Sequence, residues 1–404
     1  MSEHPSTANT IRSIEDLPTL SAVAQKLLVQ LNDTNYTADD VSRTIESDQA
    51  LAMRILRLVN SPAYGIVRDI STIERAVVIL GAEALKNLVM CAGVAGAMTA
   101  IGSPARLTAF WRHAAYVGTA ARVLAEMTSL ADPQDAFLAG LVHDIGELAL
   151  DVVRPEEWNR ITALGARDRL TNEKRYLGMT HQRAGYLLLR SWNMPEELCT
   201  VARSHHSTRE LSSRDCPLMG MVSLADTMSR VAGAGADLPA NDRDLVRMLR
   251  ATGLDLEQLV EAQNLADHRM AAMVAFLGLP QTALPPGAVG RGRGLRAVLL
   301  CSGKRRLAWY QQLCRYHDLE LLSLRMFLER PEDADLVLLD QESLGRDQLE
   351  KLAPFLRRCD GSLASCGCTN SDLATRVLDQ PIPNLELVFT PQELSATLAL
   401  VAAR

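Results

Sequence analysis

Apolar residues recur at spacings of three and four along the first 280 residues, the period of an amphipathic α-helix. The segment LPTLSAVAQKLLVQL at 17–31 shows this on a single face, formed by Leu20, Val23, Leu27, Leu28 and Leu31. The same period predicts later helices near 108–128, 133–153, 172–191, 195–206, 213–233, 241–252 and 255–276. No strand-like alternation appears before about residue 294, so this part predicts an all-α body in two lobes divided near residue 102.

Helix boundaries are marked by capping and breaking residues. Thr37 has the side chain of an N-cap, and Ser71 with Glu74 has the spacing of a capping box ahead of RAVVIL. The sequence NSPAYG at 60–65 ends a helix, and Gly81 separates a short helix from a longer one. These signals predict several short helices in the first lobe.

The pattern changes after a segment of three prolines and four glycines at 279–294, which predicts a linker. Short apolar runs such as LRAVLLC, DLVLLD and LELVFT then alternate with helix-like segments, which predicts a parallel α/β sheet of about five strands. The chain is therefore expected to be mainly α-helical, with a small α/β domain at its end. The expected divisions are a loose tail at 1–16, a helical body at 17–278 with lobes at 17–102 and 103–278, the linker, and an α/β domain at 295–404.

Composition and charge exclude several classes of function. The net charge of −6 gives no general attraction to nucleic acid or to anionic membranes, so direct nucleic-acid binding is not expected. No apolar stretch is long enough to span a bilayer, and the first residues lack a signal-peptide pattern. The eight cysteines have no framework spacing. Together these features predict a protein of the reducing cytoplasm without a membrane partner.

Histidines are concentrated in the second lobe. Five of the eight lie between residues 113 and 206, and two aspartates share that lobe: His113, His143, His181, His205 and His206, with Asp144 and Asp226. Imidazole and carboxylate together suit Fe, Mn, Ni or Zn, so the set could hold one or two divalent ions. Glu147 or Glu173 could orient such ligands from outside. A lone histidine on a helix more often packs or bonds a carbonyl, and that alternative remains open here.

Seven segments carry a resemblance to a known family, in the family's order and spacing. They are LPTLSAVAQKLL, SDQALAMRILRLVNSPAYG, STIERAVVILGAEALKNLV, FWRHAAYVGTAARVLA, AFLAGLVHDIGELAL, LGMTHQRAGYLLLRSWNMPEEL and HHS. Together they resemble the HDOD family, HD-related output domains of bacterial signalling proteins, over about residues 15–275. This family is similar to HD-type phosphohydrolases and to the HD-GYP phosphodiesterases of cyclic dinucleotides, although many members are thought to lack catalysis.

The resemblance implies a full set of HD-type metal ligands. It assigns His113 as the first histidine, His143 and Asp144 as the HD pair, His181 to the next helix, His205 and His206 as the paired histidines, and Asp226 as the last aspartate. Three departures disfavour catalysis. No Gly-Tyr-Pro loop follows His206, Ala109 stands where some of those enzymes have a ligand glutamate, and Glu147 replaces a frequent lysine.

The α/β segment resembles a receiver domain of response regulators, with Asp340 at the phosphoacceptor position after the third strand. The acidic pair that would hold Mg²⁺ is missing from LLCSGKRR, and Thr390 stands where a lysine would precede Pro391. We therefore expect a receiver-like domain that is not phosphorylated by the usual route. A generic α/β interaction domain is the alternative.

These observations predict a regulatory protein of bacterial signal transduction with little or no catalysis. Its HDOD domain would bind signalling proteins of the same pathway, or a nucleotide or cyclic dinucleotide, and the chain could form a homodimer. The alternative is a metal-dependent phosphohydrolase acting on a nucleotide or cyclic dinucleotide. A sensor of metal or redox state that uses the same pocket without turnover is a third hypothesis.

Overall fold

A computed structural model describes most of the two expected parts of the chain. The described residues are 7–17, 20–31, 37–60, 70–99, 104–164, 169–207, 217–232, 242–276, 295–301, 314, 319–340, 344–359, 362–366, 371–379 and 384–385. The expected linker at 279–294 and the Thr390–Pro391 pair lie outside these residues. The expected domain boundaries therefore remain predictions.

The part before residue 277 is helical throughout its described residues, as the apolar period predicts. The first six helices are α1 (Thr7–Glu15), α2 (Ala22–Leu31), α3 (Ala38–Glu46), α4 (Gln49–Val59), α5 (Ile73–Leu80) and α6 (Ala82–Thr99). The next ten are α7 (Pro104–Thr128), α8 (Pro133–Val142), α9 (Ile145–Val153), α10 (Pro155–Ala163), α11 (Arg169–Leu177), α12 (His181–Ser191), α13 (Glu196–Ser204), α14 (Pro217–Ala232), α15 (Asp242–Thr252) and α16 (Leu256–Phe276).

Helix α1 corrects the expectation of a loose N-terminal tail. Residues 7–15 form a helix that packs against α9 and α12, with Thr10 and Ile14 buried. The isoleucines at 11 and 14 are the large apolar side chains of a mostly polar segment, so the sequence alone gave little sign of a buried face. Helix α1 thus contacts α12, which begins at His181, and α9, which follows Asp144.

The helices of the first lobe begin mostly where their caps predict. Thr37 is the N-cap of α3, and its hydroxyl accepts a hydrogen bond from the main-chain N–H of Asp40. The predicted Ser71 cap is wrong by one residue, because Thr72 caps α5 and accepts from the N–H of Arg75. The side chain of Asn60 bonds both main-chain groups of Ile70, so the end of α4 is held close to the residues that lead into α5. Gly81 ends α5 with φ of 87°, a conformation that favours glycine.

Two close glycine contacts set how the helices of the second lobe cross. A Cβ on Gly140 would lie 2.7 Å from the Cα of Gly118, so α7 and α8 touch through their backbones. A Cβ on Gly146 would lie 1.9 Å from the carbonyl oxygen of His181, so α9 and α12 also touch through their backbones. No side chain larger than hydrogen fits at either crossing without moving the helices apart.

Two of the predicted helices are broken where the candidate ligands lie. The predicted helix 133–153 divides into α8 and α9 at His143 and Asp144, and the predicted helix 172–191 divides into α11 and α12 before His181. The apolar period continues across both breaks, so it gave no sign of them. A further helix, α10, lies in a region where no helix was predicted.

The α/β part forms a five-stranded parallel sheet, as the alternation of strand-like and helix-like runs predicts. The strands are β1 (Arg296–Leu300), β2 (Glu320–Leu321), β3 (Leu336–Asp340), β4 (Ser362–Cys366) and β5 (Asn384–Leu385). Their order is β2-β1-β3-β4-β5, an order found in flavodoxin-like folds. The α-helices described between them are α17 (Leu324–Glu329), α18 (Arg346–Leu356) and α19 (Ser371–Leu378).

The two faces of this sheet belong to different apolar clusters. Ala297, Leu336 and Leu338 belong to the same continuous cluster as the core of the helical body, whereas Val337 and Leu339 belong to a second one with α17 and α18. Alternate residues of a strand point to opposite faces, so both faces are covered, as a parallel sheet requires. Among the described residues, no helix is long and apolar enough to cross a membrane.

Candidate metal centre

All seven predicted pocket residues lie together at the centre of the second lobe. They are His113 within α7, His143 and Asp144 in the turn from α8 to α9, His181 at the start of α12, His205 and His206 after α13, and Asp226 within α14. Most of these positions are helix ends, where a side chain can point along a helix axis into the space between neighbouring helices. The combined set therefore depends on the helix breaks described above.

The turn from α8 to α9 is what places Asp144 in the middle. His143 ends α8 in a helical conformation, while Asp144, the N-cap of α9, has φ of −103° and ψ of 14° and departs from helical geometry. The contact of Gly146 with the His181 carbonyl then holds the start of α9 against the start of α12. Local backbone geometry and one glycine contact thus bring Asp144 close to His181.

One group of ligand atoms surrounds one oxygen of Asp144. The Nε2 atoms of His113 and His143 lie 3.4 and 3.6 Å from Asp144 Oδ2. Asp226 Oδ1 lies 3.5 Å from His113 Nε2 and 4.0 Å from His143 Nε2. We call these residues the His113 group. Two imidazoles and two carboxylates facing one small space form a suitable donor set for a divalent ion.

A second group surrounds the other oxygen of the same carboxylate. The Nε2 atoms of His181 and His205 lie 3.4 and 3.0 Å from Asp144 Oδ1. His206 completes this set, and one ligand atom from each of the four residues lies within 4.8 Å of the others. We call these residues the His181 group. Asp144 thus belongs to both groups, one oxygen in each.

Hydrogen bonds on the outer side of the rings fix which nitrogen faces inward. The Nδ1–H groups of His143 and His205 donate to the main-chain carbonyls of Gly140 and Ala202, at 2.7 and 3.1 Å. A carbonyl oxygen can only accept, so in both neutral rings the proton is on Nδ1 and Nε2 carries a lone pair. Both rings therefore present a metal-binding atom to the centre.

Ser229 fixes the ring of His113 so that its Nε2 atom also faces the centre. Its hydroxyl donates to the main-chain carbonyl of Asp226 at 2.7 Å and lies 3.2 Å from His113 Nδ1. The hydroxyl has one hydrogen, already used, so toward His113 it accepts from Nδ1–H. Sequence reasoning missed Ser229, although its position three residues after Asp226 on a helix was the available signal.

Glu173 holds His181 from the outside and is itself fully buried. Its carboxylate accepts from His181 Nδ1–H at 2.8 Å and from the main-chain N–H of His181 at 2.8 Å. Arg169 bonds the same carboxylate at 3.3 Å, forms an ion pair with Glu147 and stacks on Trp158. The supporting role predicted for Glu173 or Glu147 thus matches a direct contact for Glu173, whereas Arg169 links Glu147 to Glu173.

The electrostatics of the centre keep its carboxylate ionised. Burial raises the pKa of Asp144, but the four histidines that surround its carboxylate outweigh this effect and bring that pKa well below its usual range. Burial lowers the pKa of His181, but Glu173 and Asp144 raise it to about 9. Without a bound cation, His181 is therefore charged at neutral pH.

The buried atoms fit a metal ion. Among the described residues, both oxygens of Asp144 and the Nε2 atoms of His181 and His205 are buried without a hydrogen-bond partner. Each such group costs about 1–3 kcal/mol if nothing satisfies it. A cation bound between them would satisfy these atoms together, because they are all ligand atoms that face the same space. The alternative of ordinary packed histidines explains the outer hydrogen bonds but leaves the inner atoms unsatisfied.

The receiver-like position is buried at the end of its strand. Asp340 is the last residue of β3 and pairs in register with Cys366 on β4. Cys301 follows β1, where a receiver would have acidic residues, and burial together with the charge of Asp340 raises the pKa of its thiol to about 11. The strand order agrees with a receiver domain, but its identity as a receiver remains a prediction.

Fold and site together define a mainly helical protein with a buried histidine–aspartate centre. The sequence model of the HDOD domain matches residues 17–208, so this part of the chain is an HDOD domain, as the resemblance predicts. The match ends before α14, which supplies Asp226 and Ser229.

Three known proteins show the same likeness. An uncharacterized protein of Treponema pallidum is 25% identical over 265 residues, which are 63% of this chain and 51% of that protein, so the match spans about half of its length. An HDOD domain protein of unknown function from Geobacter sulfurreducens is 24% identical, covers 67% of this chain and 99% of its own, and has a TM-score of 0.57. A candidate phosphohydrolase from Shewanella amazonensis is 27% identical, covers 68% and 98%, and has a TM-score of 0.54.

Proposed function

We propose that this chain is a bacterial signal-transduction protein whose HDOD domain binds one or two divalent metal ions and acts by binding, with little or no turnover. One observation carries the metal part. The rings of His113, His143, His181 and His205 all have their outer nitrogen held by an oxygen atom and their inner nitrogen turned toward Asp144. Such prior orientation is typical of metal-binding histidines.

The ligands would divide between two ions that share Asp144. His113, His143 and Asp226 would complete one position, and His181, His205 and His206 would complete the other. Fe, Mn, Ni and Zn all suit this set of nitrogen and oxygen donors. A bound ion would supply Lewis acidity toward a phosphoryl oxygen.

Burial of the ligands supports binding without rapid turnover. Asp144, His143, His181 and His205 are each at most 2% exposed, and the more accessible side of the centre is formed by His113, His206 and Asp226. A small anion could approach from that side, whereas the phosphate of a bound dinucleotide would reach the buried ligands only if the helices moved apart, which disfavours rapid turnover. The ion pair of Glu147 with Arg169 also leaves the start of α9 without the positive charge that would attract a phosphate.

Partner binding would involve both parts of the chain. One face of the sheet shares a continuous apolar cluster with the helical body. A conformational change in either part could thus be transmitted to the other through these packed side chains. We propose signalling proteins of the same pathway as partners, with a nucleotide or cyclic dinucleotide as the small ligand, a possible homodimer, and a cytoplasmic location.

A metal-dependent phosphohydrolase is the second candidate. It is favoured by the shared position of Asp144, because dimetal sites that hydrolyse phosphate esters hold their two ions a few ångströms apart. The likeness to a candidate phosphohydrolase at 27% identity supports it as well.

Measuring binding and hydrolysis of one cyclic dinucleotide in the same samples separates the two candidates. The metal-loaded full chain is dialysed against the dinucleotide, and the products are then separated by chromatography. Our proposal predicts retained ligand, or none, with turnover below roughly 0.01 per second. Turnover of about one per second or more that disappears in Asp144→Ala would overturn it in favour of the hydrolase.

A further inference from the structure

His181 differs from the other oriented histidines in the charge of its outer partner. His143 and His205 donate to neutral main-chain carbonyls and His113 to a serine hydroxyl, whereas His181 donates to the carboxylate of Glu173. A carboxylate partner makes an imidazole a stronger electron donor than a neutral partner does. The two ligand groups therefore differ in the charge of the residues that hydrogen-bond their outer nitrogens.

The carboxylate of Glu173 is buried and hydrogen-bonded by several neighbouring groups. It is fully buried, accepts from both the ring and the main chain of His181, and is bonded by Arg169 on the same helix. A buried carboxylate is costly unless it is paired and hydrogen-bonded, and here it is both. The arrangement fixes the ring of His181 through two contacts rather than one.

Arg169 links this carboxylate to two other elements. Its guanidinium pairs with Glu147 on α9, lies over the ring of Trp158 on α10 and bonds Glu173 on α11. Glu147 comes three residues after Asp144, so the same arginine connects the turn that carries Asp144 to the support of His181. The positive charge of Arg169 also offsets part of the negative charge of Glu173. The effect of the carboxylate on the imidazole of His181 is therefore smaller than it would be without Arg169.

We propose that Glu173 is the positioning residue that gives the His181 group its metal affinity, with Arg169 setting the strength of its effect. This inference rests on the proposed metal centre, since without a bound ion there is nothing to position His181 for. It predicts that the two metal positions respond differently to the same loss of charge. Loss of the Glu173 charge weakens the His181 group and spares the His113 group.

The test compares Glu173→Gln with two matched variants in the full chain. Glutamine keeps an oxygen that accepts from His181 but removes the charge, and Arg169 still has Glu147 as a partner. Ser229→Ala removes the neutral support of the other group. Glu157→Gln removes a carboxylate from an Arg–Glu pair on α10, where it is bonded to Arg154. Circular dichroism and thermal unfolding establish that each variant is folded.

Metal affinity and the visible spectrum of bound Co²⁺ are the readouts. Glu173→Gln is expected to weaken one Co²⁺ ion by about 10- to 100-fold and to shift its absorption bands. Glu157→Gln should match the wild type, and Ser229→Ala should leave the ion affected by Glu173→Gln unchanged. A merely structural role for Glu173 would lower stability without shifting the bands of the ion that still binds.

The possible outcomes separate this inference from the proposed function. If the wild-type chain binds no Co²⁺, Mn²⁺ or Zn²⁺, both fail together. If the wild type binds metal and Glu173→Gln binds it with the same affinity and spectrum, only the role of Glu173 is overturned. If the wild type binds a single ion, weakening by Glu173→Gln supports the inference, and weakening by Ser229→Ala alone contradicts it.

Discussion

The Nε2 atoms of His113 and His143 lie 3.2 Å apart, and each ring has its other nitrogen held by an oxygen atom. In the neutral rings both inner nitrogens carry lone pairs, and two lone pairs at this distance repel each other. A proton or a metal ion between them turns the repulsion into attraction. The ionised carboxylate of Asp144, 3.4 Å from His113 Nε2, favours a cation in the same place.

Metal binding is therefore expected to stabilise the fold. A divalent ion at about 100 times its Kd adds roughly 2.7 kcal/mol to the free energy of unfolding, or about 5–10 °C in Tm. Differential scanning calorimetry with metal and with a chelator measures this change. Asp144→Asn should abolish the increase, while Asp39→Asn, an exposed change on α3, should retain it. An equal Tm with and without metal in the wild type would count against the centre.

Stability of the metal-free protein should fall as the pH rises from neutral to about 9. The pKa of His181 is lowered by burial but raised further by Glu173 and Asp144, to about 9 from an ordinary 6.5. The folded state thus holds a proton that the unfolded state has lost, and its stabilising effect is complete below pH 6.5 and lost as the pH passes 9. Urea unfolding across this range, on wild type and Glu173→Gln, checks the slope. A flat profile in the wild type would contradict the assignment.

Metal uptake should release protons over the same range, because an ion on His181 must displace the proton on Nε2. Calorimetric titrations of one metal in two buffers with different enthalpies of ionisation measure the number released. We expect about one proton per chain near pH 7.5 and close to none above pH 10. Identical heats in both buffers at pH 7.5 would show that His181 is already neutral.

Gly146→Ala should disrupt the centre by separating two helices. The added methyl would lie 1.9 Å from the His181 carbonyl and 2.4 Å from the N of Gly185, so α9 must move away from α12. We expect a loss of about 1–3 kcal/mol in stability and a large loss of metal affinity. Gly345→Ala is the matched control, because its methyl would meet only a side-chain oxygen at 3.9 Å. Normal metal binding by folded Gly146→Ala would refute this role of the contact.

The receiver-like part is expected to remain unphosphorylated. Asp340 is buried at the end of β3, and the sequence after β1 begins with Cys301, Ser302 and Gly303 instead of the acidic residues that hold Mg²⁺. Mass spectrometry after incubation with acetyl phosphate and Mg²⁺ checks this. An added phosphate that disappears in Asp340→Asn would mean that another arrangement holds the ion.

The sequence predicted the helical body, the α/β sheet and the set of pocket residues, but not how the pocket is assembled. Apolar periodicity reports which face of a segment is buried, and it runs unchanged through the breaks at Asp144 and His181. The break before His181 has local causes that the period does not report, namely Gly178 with φ of 73° and the N-cap Thr180. The break at Asp144 has no side-chain cap and is held by a distant contact, Gly146 against the His181 carbonyl. Helix α1 was missed for a related reason, since its buried side chains, among them Ile14, are few in a polar segment.

Supporting residues were predicted less well than ligands. Glu173 was a candidate because it is acidic and lies near His181 in sequence, whereas the signal for Ser229 was only its spacing from Asp226 and Arg169 carried none. Both act through hydrogen bonds across helices, from α14 to α7 and from α11 to α9. Such partners become visible only when the packing of the helices is known.

The metal content of the purified full chain tests the central claim most directly. Cells are grown with Fe, Mn, Ni and Zn supplied, and the protein is analysed by mass spectrometry of the elements beside a folded Asp144→Ala variant. We predict about one or two ions per chain in the wild type and less than about 0.1 in the variant. A wild-type chain with less than about 0.1 ion, which also takes up none when metal is added, would contradict the account.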